Sequence, residues 1–134
     1  MRLWHIDLIP YLPKSQLIAQ WRELNSIFKK QDNHILINYI YNYDKTYLLT
    51  YTMIVKNEMH NRDICIRNLD NFMEYFKDCH GYNTCKERFI EHNNEYLTIC
   101  YYNLKEKHIR GQKDFTKEIW NKLHKFYKEM IENE

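Results

Sequence analysis

An all-α architecture, a single compact domain of about four to five helices, is what this chain predicts, on three observations. Apolar residues recur at three- and four-residue offsets through most of its length. At 134 residues the chain suits one domain, able to bury about two-thirds of its unfolded surface without covalent staples. No internal repeat, linker or low-complexity tract divides it, so residues 1–134 are read as one helical unit.

The elements follow in order. Pro10 and Pro13 stop an opening segment whose Leu3, Trp4, Ile6, Leu8 and Ile9 make it too apolar to dangle in solvent. Leu17, Trp21, Leu24 and Phe28, at offsets of four, three and four, form the stripe of a first amphipathic helix. At about 100° per residue, Glu23 falls about 240° round from Leu17, in line with Gln16, Gln20 and Ile27, on a polar ridge rather than the main seam. Gln31-Asp32-Asn33 turns the chain, and His34–Tyr41 reads either as a short buried strand or as one to two helical turns, with the irregular or helical form preferred.

A second long helix is expected from an N-cap at Asp44, with Leu48, Tyr51, Thr52, Val55 and Met59 facing inward before Asn61-Arg62-Asp63 ends it. A third carries Leu69, Phe72, Met73 and Phe76 and is expected to stop at Gly81. The fourth is expected from about Lys86 through Leu97, Cys100, Tyr101 and Leu104 to Gly111. The last is expected from near Asp114, with Phe115, Ile119, Leu123, Phe126 and Met130 on one face.

Composition excludes several chemistries. With Gly81 and Gly111 as the only glycines, no P-loop, dinucleotide fingerprint or nucleophile elbow can be assembled, and Ser15 and Ser26 lack the surroundings of an acyl-transfer serine. The net charge of +2 allows nucleic acid without demanding it. Cys65, Cys79, Cys85 and Cys100 occur without a signal peptide, which points to a reducing, cytoplasmic compartment. No tract reaches the roughly 18 apolar residues of a membrane span, so a soluble protein with no membrane partner is expected.

Chemistry concentrates at the front of the chain. Trp21-Arg22-Glu23-Leu24 brings an aromatic, a cation and a carboxylate close to the α-amine, whose pKa of roughly 7.7 to 8 leaves a useful nucleophilic fraction at neutral pH. An amine beside a carboxylate suffices for imine chemistry on an aldehyde. Other constellations carry less. Cys79, His80, Cys85 and His92 could be four metal ligands, but no Cys-x-x-Cys spacing is present, and buried thiols with surface imidazoles are the preferred reading. Lys122, Lys125 and Lys128, interleaved with Trp120, Phe126 and Tyr127, read either as a DNA-facing tail or as an ordinary amphipathic helix end. His34 reads either as a second acid/base or as a structural hydrogen-bonding group.

The segment Leu17-Ile18-Ala19-Gln20-Trp21-Arg22-Glu23-Leu24 resembles the first-helix motif of the pyrimidine-dimer DNA glycosylase/abasic-site lyase family, the phage endonuclease V type, at the same distance from the chain start. A weaker likeness continues at His34-Ile35, through Asn57-Glu58-Met59-His60-Asn61-Arg62, at His92 and at Leu104-Lys105-Glu106-Lys107. The resemblance implies a few helices with the amino-terminal segment threaded between them. It also implies attack by the terminal amine on a deoxyribose, with the carboxylate at Glu23 assisting proton transfers and Arg22 holding a phosphate. Arg2, Lys14, Gln16, Gln20 and His34 complete the expected DNA contacts. The implied partner is damaged double-stranded DNA, met by a monomer without metal or small-molecule cofactor.

Three positions depart from the family pattern. Family enzymes lose the initiator methionine and react through a small second residue; Arg2 blocks that removal, so the amine would belong to Met1. Either the terminus shifts so that Met1 reaches the sugar, or the lyase activity is altered or gone. Leu3 and Ser26 stand where the family has basic residues, with Arg2 available to replace the first, and DNA affinity should be weak and salt-sensitive. The alternative is a non-catalytic helical module that binds nucleic acid or a protein partner.

Overall fold

The computed structural model describes residues 2–79 and 86–133, which fold into five α-helices and two short 3-10 helices, with no strand among the described residues. The α-helices are α1 (Lys14–Lys29), α2 (Lys45–Asn61), α3 (Asp70–Tyr75), α4 (Asn94–Ile109) and α5 (Lys117–Glu132). One apolar cluster runs through all of them, from Leu3 and Leu8 through Leu24, Leu49 and Val55 to Leu104 and Leu123.

Caps set most of the boundaries. α2 begins where expected, the Asp44 carboxylate accepting from the Thr46 amide at 3.0 Å, and all five residues read as inward-facing are buried. It ends where Asp63 takes a left-handed backbone conformation, φ 58°. α1 is different: Pro13 offers its first turn no side-chain cap. The Asp114 carboxylate, far along the chain, supplies one instead, accepting from the Ser15 amide at 2.7 Å and the Ser15 hydroxyl at 3.0 Å. Burial pushes Asp114 up, yet the hydrogen bonds from Ser15 and Gln112 outweigh it and hold the carboxyl below its ordinary range.

Three boundaries differ from expectation. α4 starts not near Lys86 but at Asn94, capped by the Asn93 side chain, which accepts from the Tyr96 amide at 2.9 Å. The stretch before it is non-helical because Phe89 and His92 turn into the core. Gly111, at φ 85°, closes α4 in the left-handed conformation that lets the Gln112 amide reach the Lys107 carbonyl at 3.1 Å. α5 starts at Thr116, whose hydroxyl accepts from the Ile119 amide at 3.3 Å, while Asp114 is engaged at α1.

α3 ends at Tyr75, well before Gly81, which lies outside the described residues. So short a helix presents Phe72, Tyr75 and Phe76 to Phe28 of α1, at ring separations of 6.2, 5.1 and 5.2 Å. Leu69 and Met73, expected to be buried, are exposed. The ambiguous His34–Tyr41 stretch takes the helical option, with a 3-10 helix over Asn38–Asn42 that buries Ile40.

The opening segment is threaded between helices as the resemblance implied. Leu3, Trp4, His5, Ile6, Leu8 and Ile9 are all buried, and a 3-10 helix over Ile6–Tyr11, absent from the sequence reading, packs on α2 and α5. Arg62 locks its exit, donating to the carbonyls of Leu12 at 2.7 Å and Pro10 at 3.0 Å while its Nε pairs with Glu58 at 3.1 Å. In α5 the aromatic rings turn inward: Tyr127 stacks on Tyr101, Trp120 on His108 and Phe126 on Tyr11. Lys122, Lys125 and Lys128 stay exposed, so this helix is an ordinary amphipathic element rather than a row of rings offered to bases.

Candidate active site

A non-helical segment buried in a protein must find a partner for each amide and carbonyl. Around residues 2–6 the partners are side chains from three helices and the loop before α4. Gln20 of α1 accepts from the Trp4 amide at 2.8 Å and donates to the Arg2 carbonyl at 3.3 Å. The Tyr51 hydroxyl of α2 shares its one proton between the Trp4 carbonyl at 2.7 Å and Gln20 Oε1 at 2.9 Å. The Tyr96 hydroxyl of α4 donates to the Leu3 carbonyl. His92 accepts from the Ile6 amide through Nδ1 at 3.0 Å.

That last bond fixes an imidazole. With Nδ1 accepting, the proton of neutral His92 sits on Nε2 and is directed to the Tyr39 hydroxyl, 2.7 Å away. Burial, reinforced by His5 and Arg88 and only partly opposed by Asp7, pushes His92 down to about 3. His5, its ring 5.5 Å from His92, is also lowered by burial. His92 is therefore an interior hydrogen-bonding group and not the surface imidazole expected of it. Among the described residues no group of three or more His, Cys, Asp or Glu side chains could hold a metal ion, and His80 and Cys85 lie outside them.

Glu23 stands one helical turn beyond Gln20, half-buried, with Oε2 accepting from Gln20 Nε2 at 3.3 Å. Burial raises its carboxyl above the ordinary range against the pull of positive charges that include Arg22 and Lys107. That direction favours the protonated form, as general acid work requires. Arg22 is exposed beside it and takes part in none of the ion pairs among the described residues. Lys107 on α4, whose charge reaches Glu23, was not singled out by the sequence; its only signal was the faint likeness at Leu104–Lys107.

The other expected site residues fare unevenly. Met1 lies outside the described residues. Gln20, expected on an open ridge with the DNA contacts, is fully buried and has all four hydrogen-bonding positions engaged internally. Arg2 is half-buried, its guanidinium turned inward to lie 5.9 Å from the ring centroids of both Trp4 and Tyr96. Gln16 accepts from Gln112 at 2.6 Å and so belongs to the seam between α1 and the α4–α5 connection. Lys14 is exposed at the start of α1, about 13 Å along the axis from Glu23 at 1.5 Å per residue. His34 is exposed on a turn that it helps build, Nδ1 accepting from the Leu36 amide at 3.1 Å.

A buried amino-terminal segment and a half-buried carboxylate therefore meet at one side-chain amide, on an all-helical scaffold. The family model for pyrimidine dimer DNA glycosylases matches residues 1–72, more than half of the chain and all of the helix that carries Glu23. The chain belongs to the pyrimidine dimer DNA glycosylase family, a family of DNA-repair enzymes. No curated protein and no solved structure matches it. No helix among the described residues is long and apolar enough to cross a membrane.

Proposed function

We propose that this protein removes dimerised pyrimidines from double-stranded DNA and then cuts the strand at the abasic sugar, with the amine of Met1 as nucleophile and Glu23 as acid and base. The observation that carries this reading is the Gln20 amide, which donates to the Arg2 carbonyl and to the Glu23 carboxylate at once, 3.3 Å from each. The residue following the amine and the carboxylate are thus within one side chain's reach of each other.

In this scheme the unprotonated amine attacks C1′, the bond from C1′ to the base breaks, and the base departs with the electron pair and takes up a proton. An amine proton passes to the ring oxygen O4′, the C1′–O4′ bond breaks, and an iminium is left between the protein and C1′. The iminium acidifies the C2′ hydrogen; Glu23 removes it, the C3′–O bond breaks and the 3′ phosphate leaves, which cuts the strand. Hydrolysis then frees the amine. Arg22, exposed beside Glu23, holds a phosphate of the reacting nucleotide, with Lys107 facing it from α4 and Lys14 and His34 at the margins. The protein works as a monomer without metal or cofactor, in the cytoplasm with access to DNA.

Duplex DNA with one abasic site, mixed with the protein and borohydride at low salt, should yield a covalent adduct that disappears when the terminal amine is acetylated. Failure of the untreated protein to form the adduct sinks the imine mechanism. Glu23→Gln keeps the shape and the accepting oxygen facing Gln20, so it should fold normally and lose strand cleavage by about 10²- to 10⁴-fold. Leu3, Ser26 and the inward-turned Arg2 favour the competing reading of a binding module without chemistry; that reading requires DNA retention with no adduct.

A further inference from the structure

We propose that Gln20 is a positioning residue for this reaction: it sets where the front of the chain lies relative to Glu23, and it holds Glu23 in its proton-accepting form. The inference rests on the amine–Glu23 reading and assigns the alignment of those two groups to one buried amide.

A primary amide offers two hydrogens and two acceptor positions, and Gln20 uses all four. The oxygen receives the Trp4 amide at 2.8 Å and the Tyr51 hydroxyl at 2.9 Å; the nitrogen gives one hydrogen to the Arg2 carbonyl and one to Glu23 Oε2, each at 3.3 Å. The side chain is 0 % exposed, so no water can replace a lost bond. Arg2 and Trp4 are gripped from the same side, which fixes the register of the segment against α1; a slip of one residue would offer an amide where a carbonyl is required. The two halves of the amide do different work. The oxygen anchors the backbone, and the nitrogen ties that backbone to the carboxylate.

The nitrogen also has an electrostatic role. Burial raises Glu23, and the hydrogen bond that Gln20 gives to its carboxylate is of the kind that favours the ionised form. Without the donor, Glu23 would hold its proton to higher pH and the elimination would lose its base there. A purely architectural glutamine would not move a pH profile in this way.

Two substitutions separate the halves. Gln20→Glu keeps both accepting bonds and the shape of the side chain but replaces the donor to Glu23 with a second carboxyl, whose like charge by itself also raises Glu23; Gln20→Met removes all four bonds at similar length and adds no charge. Wild type, both variants and Glu23→Gln are compared by single-turnover borohydride trapping on abasic duplex DNA, by the pH profile of strand cleavage, and by DNA affinity. Gln20→Glu is expected to trap about tenfold or more slowly, with unchanged affinity and the acid limb of its cleavage profile moved to higher pH. Gln20→Met should be at least as slow and should move the acid limb the same way with no added carboxyl to account for it; where it does not fold, a wild-type acid limb in Gln20→Glu still overturns the proposal. Trapping and an acid limb indistinguishable from wild type in Gln20→Glu overturn the proposal while leaving the imine mechanism standing. Absence of an adduct in the wild type overturns the mechanism and this role with it.

Discussion

The first residues of the chain and its last helix are both surrounded by aromatic side chains, yet they are held by different forces. At residues 2–6 the surrounding groups act through their polar ends: Gln20, Tyr51, Tyr96 and His92 each take a backbone carbonyl or amide. At α5 the rings act through their faces, with Tyr127 over Tyr101 at 3.8 Å and 7°, Trp120 parallel to His108 at 5.2 Å, and Phe126 on Tyr11 at 4.6 Å. Stacking gives large buried area and tolerates small slides. A net of hydrogen bonds to backbone fixes register, because a shift by one residue exchanges donors for acceptors. The tolerant mode is found where the chain needs stability, and the exacting one where the proposed chemistry needs placement.

Removing a ring should have the largest effect on stability. Tyr127→Ala deletes a buried stacked side chain and should cost about 3 to 5 kcal/mol, read from chemical denaturation, with cleavage per folded molecule unchanged. Loss of activity beyond loss of fold would break the division between the two regions.

Acid should come next. The unfolded imidazole of residue 92 takes up a proton near 6.5 and the folded one at about 3, so in that interval the unfolded chain binds more protons. Stability conferred by neutral His92 is complete above about pH 6.5 and erodes as pH falls, by roughly 2 kcal/mol at pH 5 from this group alone. His5 acts in the same direction. Thermal melts between pH 7 and 5 test it, and a flat profile would mean that the pair is open to water.

A smaller loss of stability should come with a larger loss of function in Tyr51→Phe. The missing hydroxyl leaves the Trp4 carbonyl and one acceptor position of Gln20 without a partner, at about 1 to 3 kcal/mol, and should slow borohydride trapping more than an α5 variant of equal stability does. Equal trapping in the two would erase the distinction. Arg22→Ala should be the mildest for folding, within about 0.5 kcal/mol, while the slope of log affinity against log salt falls by about 1. An unaltered slope would remove Arg22 from the phosphate contacts.

Much of the scaffold was legible because helices announce themselves locally. The Asp44 cap and the stripe from Leu48 to Met59 needed nothing beyond the α2 sequence. α4 starts at Asn94 rather than near Lys86 because Phe89 and His92 ahead of it are drawn into the core. Gln20 could not be read correctly by periodicity, which assigns a polar position to solvent. What buries it is the non-helical backbone of residues 2–4, whose unsatisfied amides and carbonyls demand a polar interior partner. The same demand from the Ile6 amide drew His92 inward. Glu23 was found through the motif, whereas Lys107, remote in sequence, could be joined to it only by folding.

The cap that Asp114 places on α1 has a bearing on how the polypeptide can be divided. The stretch matched by the family model ends at residue 72, but the helix presenting Glu23 borrows its first-turn acceptor from residue 114, and the front of the chain borrows further partners from residues 92 and 96. The recognisable half is thus not autonomous. On the ribosome it emerges first and must wait for the remainder before the corner around Gln20 and the proposed Glu23 site can take shape, and a fragment severed after residue 72 should leave that corner unmade.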